Sequence, residues 1–326
     1  MRRWFPSLLA AAALTSCAHR ETAAPVRLAV GGQAQLIYLV ATLADTLGYY
    51  HDESLAVTIQ DFPGGAKSLE ALLGGSADAV CGFYDHTIQM AAQGKSLRAF
   101  LSILRYPGLV AASPSAADIA GLKGKIVGVS AAGSSTQMFL NYLLTTHGLK
   151  PGDVSVASIG MSATAIAAIT HSKVDAAIMT DPALEIVRQQ MPDLKILADT
   201  RTADGVRAVF GVDQYPSVVL YSTPAWLAAH PDEARKLARA GLRAMDWIRA
   251  HSPEEIRAKL PDAFKTSNEA ADLEGLKSLQ SMLSPDGKMT LEAAAAVEKV
   301  LALSLESVRD SKLDLAGTFT NEFAAR

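Results

Sequence analysis

Short apolar runs alternate with segments of helical periodicity along most of the chain, and this rhythm limits the possible folds more than any other feature. Val26–Val30 is a first run, ended by Gly31-Gly32. Leu36, Leu39, Val40, Leu43 and Leu47 then recur at helical spacing, and Gly48 supplies the stop. Residues 56–61 read as a second strand, and Pro63-Gly64-Gly65 turns the chain into a helix that ends at Leu73. Residues 78–82 and 97–104 read as strands flanking a short helix over 85–92. Strands alternating with helices favour a mainly parallel sheet covered by helices. The rhythm breaks near Tyr106-Pro107 and Ser113-Pro114, restarts at Leu122, runs to about Asp213 and breaks again at Tyr215-Pro216. One more strand follows at 217–221, and from Trp226 onward the chain is mostly helical. A chain of 326 residues is long for one core. The expected architecture is therefore α/β with two doubly wound lobes. The first is drawn from 26–111 and 216–326, including the C-terminal helices, and the second from 112–215. The chain crossings, near 110–114 and 213–217, form a two-stranded hinge. A weak internal echo supports a common plan: Gly74–Val80 resembles Thr170–Ala177, and each is followed by an acid, Asp85 and Asp181.

The N-terminus reads as an address. Arg2 and Arg3 precede a short apolar stretch, 8–14, and then Leu14-Thr15-Ser16-Cys17. This pattern resembles a bacterial lipobox, which implies removal of residues 1–16 and a lipid on Cys17, with 17–25 as anchor and linker. No later stretch is apolar for long enough to span a bilayer, so contact with a membrane is expected through the lipid alone. Lys and Arg number 30 against 33 Asp and Glu, and no basic stripe interrupts this balance, so a nucleic-acid partner is not expected. With Cys17 lipidated, Cys81 is the other cysteine, which leaves no CxxC metal site; in Ala79-Val80-Cys81 it reads as a small buried hydrophobe.

Ligands of open parallel sheets lie beyond the carboxyl ends of the strands, at helix N-termini. Ala132–Gln137 is the richest such segment. Ser134 and Gln137 have capping-box spacing, and the hydroxyls of Ser135 and Thr136 join the free N–H groups of the first turn. Ser134 either caps its own helix or takes part in anion binding. Phe83-Tyr84-Asp85-His86 follows the third strand; Tyr84 offers a ring or a hydroxyl, and Asp85 offers either an acceptor for an ammonium or an N-cap. Asp181-Pro182 has the form of an N-cap and N1 pair in the second lobe. Gly64-Gly65 permits close backbone approach to a ligand or simply makes a tight turn. Gln33 and Gln35 open the first long helix, and one of them is expected to reach a cleft. His51-Asp52-Glu53 reads as a solvated helix end rather than a metal site. Neither GxSxG, HExxH, GxGxxG nor a Walker A loop occurs.

Taken in order, Gly64-Gly65, Leu72–Asp78, Leu122–Lys125, Gly133–Thr136, Gly148–Val154, Val174-Asp175-Ala176 and Asp181-Pro182 resemble the periplasmic solute-binding proteins of ABC importers for nitrate, sulfonates, taurine and thiamine precursors. The resemblance covers nearly all of 26–310. It implies the type II fold of that family: two lobes with a ligand between them, and a hinge that closes on binding. It also implies a small-molecule ligand, a partner complex of permease and ATPase, and a monomeric protein in the periplasm or cell envelope. No cofactor or metal is implied. Carried onto this chain, the site comprises Gln33, Gly64, Gly65, Tyr84 and Asp85 from one lobe and Ser134, Ser135, Thr136 and Asp181 from the other. An alkanesulfonate or taurine-like zwitterion is the first expectation. The alternatives are a pyrimidine or other heterocycle, an enzyme resembling a pyrimidine synthase, or a ligand sensor. The cysteine-rich run of the synthases is missing here, and no activated nucleophile is apparent, so an enzyme is not the expectation.

Overall fold

A computed structural model of the chain describes Met1 and residues 24–325. The expected signal segment and the lipidation site at Cys17 lie outside the described residues.

Among the described residues, ten strands form two five-stranded sheets. The first contains β1 (Val26–Val30), β2 (Val57–Asp61), β3 (Ala79–Phe83) and β4 (Arg98–Ser102). The second contains β5 (Val110–Ser113), β6 (Ile126–Val129), β7 (Ser155–Ser158), β8 (Ala176–Met179) and β9 (Lys195–Asp199). The last strand, β10 (Val218–Ser222), returns to the first sheet. The spatial orders are β2-β1-β3-β10-β4 and β7-β6-β8-β5-β9, which are the same plan. In each sheet the parallel strands meet one antiparallel strand, β10 or β5, that has arrived from the other lobe.

The sheets move one boundary. β5 lies wholly in the second sheet, so the first crossing occupies 103–109 rather than 110–114, and a division at 111/112 would cut through a strand. Ser113-Pro114 breaks the rhythm because it ends β5, not because the chain changes lobe there. The crossings pair with each other: the N–H of Leu104 donates to Val218 O at 3.0 Å, and that of Tyr215 donates to Arg105 O at 3.2 Å.

The internal echo has a structural counterpart. Asp78 accepts the N–H of Arg27 at the start of β1 at 2.8 Å, and Asp175 accepts the N–H of Ile126 at the start of β6 at 2.8 Å. Each aspartate thus ties the beginning of one strand, β3 or β8, to its parallel neighbour, β1 or β6. His51-Asp52-Glu53 also acquires a role: Glu53 pairs with Arg239 and Asp52 with Arg243, on the 20-residue helix Pro231–Ala250. Cys81 is fully buried in the first core, where burial pushes its thiol up to about 12.

The C-terminal part does not stay on the first lobe. Helix Glu269–Met282 packs against helix Ala183–Gln190 of the second lobe, and Asn268 bonds Gln189. Gly275 lies between the lobes: a Cβ there would stand 2.6 Å from Leu36 Cδ1 and 2.9 Å from Asp181 Cβ. Among the described residues, no helix is long and apolar enough to cross a membrane.

Candidate functional site: a closed seam between the lobes

The carboxyl ends of β1 and β3 face those of β6 and β8 across a seam joined by direct hydrogen bonds. Two come from one helix start. Ser134 precedes helix Ser135–Thr146 with extended backbone, as an N-cap should, yet its hydroxyl does not cap that helix. It accepts instead from the N–H of Ala66, in the first turn of helix Gly65–Leu73 of the other lobe, at 3.0 Å. The Ser135 hydroxyl donates to Asp85 Oδ1 at 2.8 Å, also across the seam. The capping box expected between Ser134 and Gln137 is therefore not formed; Gln137 Oε1 accepts from the N–H of Gly133.

Gly64 and Gly65 make this approach possible. A Cβ on Gly64 would stand 3.1 Å from Ala131 Cβ and 3.3 Å from Ser134 Oγ, both in the opposite lobe. A Cβ on Gly65 would come within 3.1 Å of His86 Cε1. Gly31, at the end of β1, is fitted still closer, since a Cβ there would overlap Gly65 N at 2.5 Å.

Gln33 does not reach the seam. Its amide donates to Thr42, in the helix Leu39–Thr46 that follows, at 3.1 Å, and its backbone N–H is held by Asp61. Gln35 is the residue that crosses: its Nε2 donates to Gly31 O at 2.9 Å and its Oε1 accepts from Thr180 at 3.3 Å. Tyr84 also turns away. It is fully buried in the first lobe with its hydroxyl bonded to Thr318 of the C-terminal segment, while its neighbour Phe83 lines the seam. Thr136 serves its own lobe, accepting the N–H of Ser130 at 3.0 Å and so closing the end of β6.

Asp181 sits at the seam without acting as an N-cap; helix Ala183–Gln190 begins two residues later. Its carboxylate meets Arg201 Nη1 at 3.2 Å, and the same guanidinium engages Glu185 at 2.9 Å and Asp199 at 2.8 Å. Sequence reasoning passed over Arg201. It stands just past β9, at a strand end where the switch-point rule applies, but its role depends on carboxylates brought together only by the fold.

Burial dominates the electrostatics. Asp85 is 3% exposed, and desolvation lifts its carboxyl from 3.8 to about 7, against the bonds from Ser135 and from the His86 backbone. Burial raises Asp181 to about 6, with Arg201 pulling the other way and Glu185 reinforcing the rise. Burial lowers His86 to about 4. His86 Nδ1 lies 3.3 Å from the Tyr221 hydroxyl, and its Nε2 has no partner. Beside Asp85 and Ser135 the seam encloses only about 10 Å³, and around Gln35 and Ser134 about 20 Å³, each near the space of one water. A larger cavity of about 260 Å³ opens beside Gln35. Among the described residues, no group of three or more His, Cys, Asp or Glu side chains could hold a metal ion.

Known proteins share this fold. A solved structure from Bordetella bronchiseptica RB50 is 36% identical and superposes with a TM-score of 0.89, over 93% of this chain and 96% of that one. The alkanesulfonate-binding protein SsuA of Xanthomonas axonopodis pv. citri, solved with MOPS bound, is 20% identical with a TM-score of 0.68, over 91% and 98% of the two chains, and so shares the fold. The 4-amino-5-hydroxymethyl-2-methylpyrimidine phosphate synthase of Aspergillus parasiticus is 28% identical over 64% of this chain, which spans 62% of that enzyme's length. The fold is that of the two-lobed type II periplasmic-binding proteins. The family model described as NMT1/THI5 like matches residues 38–256, and the chain belongs to that family.

Proposed function

We propose that the chain is the extracytoplasmic ligand-capturing component of an ABC importer, tethered through a lipid on Cys17, and that it closes its lobes over one small molecule at the seam. The observation that carries this reading is the pair of serines at one helix start, whose hydroxyls bond the opposite lobe rather than their own helix. Each of these bonds can be exchanged for one to a ligand. An acceptor atom takes the place of Ser134 Oγ at the Ala66 N–H, where the N-terminus of helix Gly65–Leu73 favours negative charge. A donor takes the place of the Ser135 hydroxyl at Asp85. A ligand that makes both exchanges touches both lobes in the closed form alone, and that differential contact is what shifts the hinge equilibrium.

A molecule with an acceptor at one end and a donor at the other fits, and an aminoalkanesulfonate of the taurine type comes first. Arg201, which meets the seam at Asp181, is already shared by three carboxylates, so a bare anion gains little there. The experiment is a thermal-shift screen with taurine, alkanesulfonates, nitrate, aminopyrimidines and amino acids. A ligand at 100 times its Kd adds about 2.7 kcal/mol of stability. Ser134→Ala with Ser135→Ala should alter the response to any compound that shifts the melting point. An unchanged affinity in that double variant rules the seam out as the site.

A second reading, catalysis at the same seam, draws on one observation: Asp85 and His86 are adjacent, buried and titratable, with His86 Nε2 unpartnered. Product formed in proportion to time from an aminopyrimidine precursor would favour it over capture.

A further inference from the structure

The 260 Å³ cavity beside the seam is walled by three separate parts of the chain. Ala34 and Gln35 come from the first lobe, Met161, Ile166 and Ile186 from the second, and Phe264 from the C-terminal part. It adjoins the seam, with Gln35 and Met161 lining both. The third wall is built to hold its shape. Asp272, with a side chain 2% exposed, accepts from Arg257 Nε at 2.9 Å, from the Thr266 hydroxyl at 2.6 Å and from the Thr266 N–H at 3.1 Å. Arg257 also donates to Thr266 O at 3.2 Å, so the loop that carries Phe264 is fixed at its far end. The ammonium of Lys265 on this wall is paired with Asp262 at 3.0 Å, and the remaining surface is mostly apolar.

We propose that this cavity is a subsite for the uncharged body of the captured molecule, a short alkyl chain or a single substituted ring, while the polar end lies in the seam. The inference rests on the capture reading above and adds the size and polarity of the cargo. The volume exceeds the roughly 150 Å³ of an engineered apolar cavity that takes up benzene, so there is room for one ring or a chain of a few carbons. The seam proper is too small to take such a body, so selectivity among ligands with the same polar end is set at Met161, Ile166, Ile186 and Phe264.

Two probes separate this inference from the capture reading. Toluene tests the cavity without any polar end; unbranched alkanesulfonates of one to six carbons test the cavity together with the seam. Each is measured on the wild-type protein and on Ala163→Phe, which places a ring in the cavity from an exposed position at a helix start. Ala263→Phe fills it from the opposite wall and guards against a local effect of the first variant. Toluene should raise the melting point of the wild type and leave both plugged variants unmoved. Sulfonate affinity should rise about fourfold per methylene in the wild type and stay flat in the variants. A toluene response without sulfonate binding upholds the subsite and refutes the sulfonate as cargo. Sulfonate binding that ignores chain length overturns the subsite and leaves capture standing. No toluene response in the wild type, or an equal one in the plugged variants, overturns the subsite whatever the sulfonates do.

Discussion

Replacing Asp85 by asparagine removes a charge from the closed seam while keeping an acceptor for Ser135. The wild-type carboxyl is raised from 3.8 to about 7 by burial. A raised folded-state value means that the folded protein holds its proton where the unfolded chain has already lost it. The penalty is therefore absent below about pH 4, grows between about 4 and 7, and is complete above 7. The difference between 3.8 and about 7 corresponds to about 4 kcal/mol at most. Opening the lobes rehydrates the carboxylate, so the observable cost is capped by the cost of opening. His86, lowered to about 4, is neutral over all but the acid edge of this window and is common to both proteins, so it adds little to the difference. Urea unfolding of both proteins from pH 4 to 8.5 measures it, through midpoints at constant slope. Asp85→Asn should match the wild type within about 1 kcal/mol near pH 4 and exceed it by about 1 to 4 kcal/mol at pH 8. A difference that stays constant with pH, or narrows as pH rises, refutes the claim that this carboxyl is desolvated.

Further tests address the neighbouring contacts. Gly64→Leu places a side chain against Ala131 and Ser134 and should hold the lobes apart, which small-angle scattering detects as a larger radius of gyration with the secondary structure unchanged. Arg201→Met leaves Asp181, Glu185 and Asp199 facing one another and should lower stability by about 3 kcal/mol at pH 8, with recovery in acid as Asp181 takes up a proton. The recovery should begin above pH 6, because the loss of Arg201 raises Asp181 further. Cys81, fully buried with its thiol pushed up to about 12, should resist iodoacetamide in the native protein and react on unfolding, as peptide mapping will show.

The fold was legible in the sequence wherever its cause was local. Glycine stops and apolar runs marked the edges of β1, β2 and the helix Asp85–Ala92 to within a residue. The repeated Ala-Asp and Val-Asp turns pointed to a common plan because the same N–H clasp recurs in both lobes. The site was legible only as strand ends. Which of two glutamines two residues apart crosses the seam depends on Thr180, 145 positions from Gln35. Tyr84 had the right position at a strand end, but the pocket that takes its hydroxyl is made by Thr318, 234 positions away. The spacing of Ser134 and Gln137 stated a local preference that a partner 68 positions away, Ala66, outbid. Side-chain partners supplied by the other lobe leave no periodic trace in the sequence.

The exchange of β5 and β10 between lobes also orders events during synthesis. All five strands of the second sheet lie in one continuous stretch, 110–199, so that sheet can form as soon as this stretch is available. The first sheet cannot be completed until β10 emerges, because β3 and β4 are joined only through it. Until then both present open edges, which invite pairing with other chains. The nascent protein thus carries a completed sheet and an incomplete one, and the open edges of β3 and β4 are what a holding chaperone has most to protect.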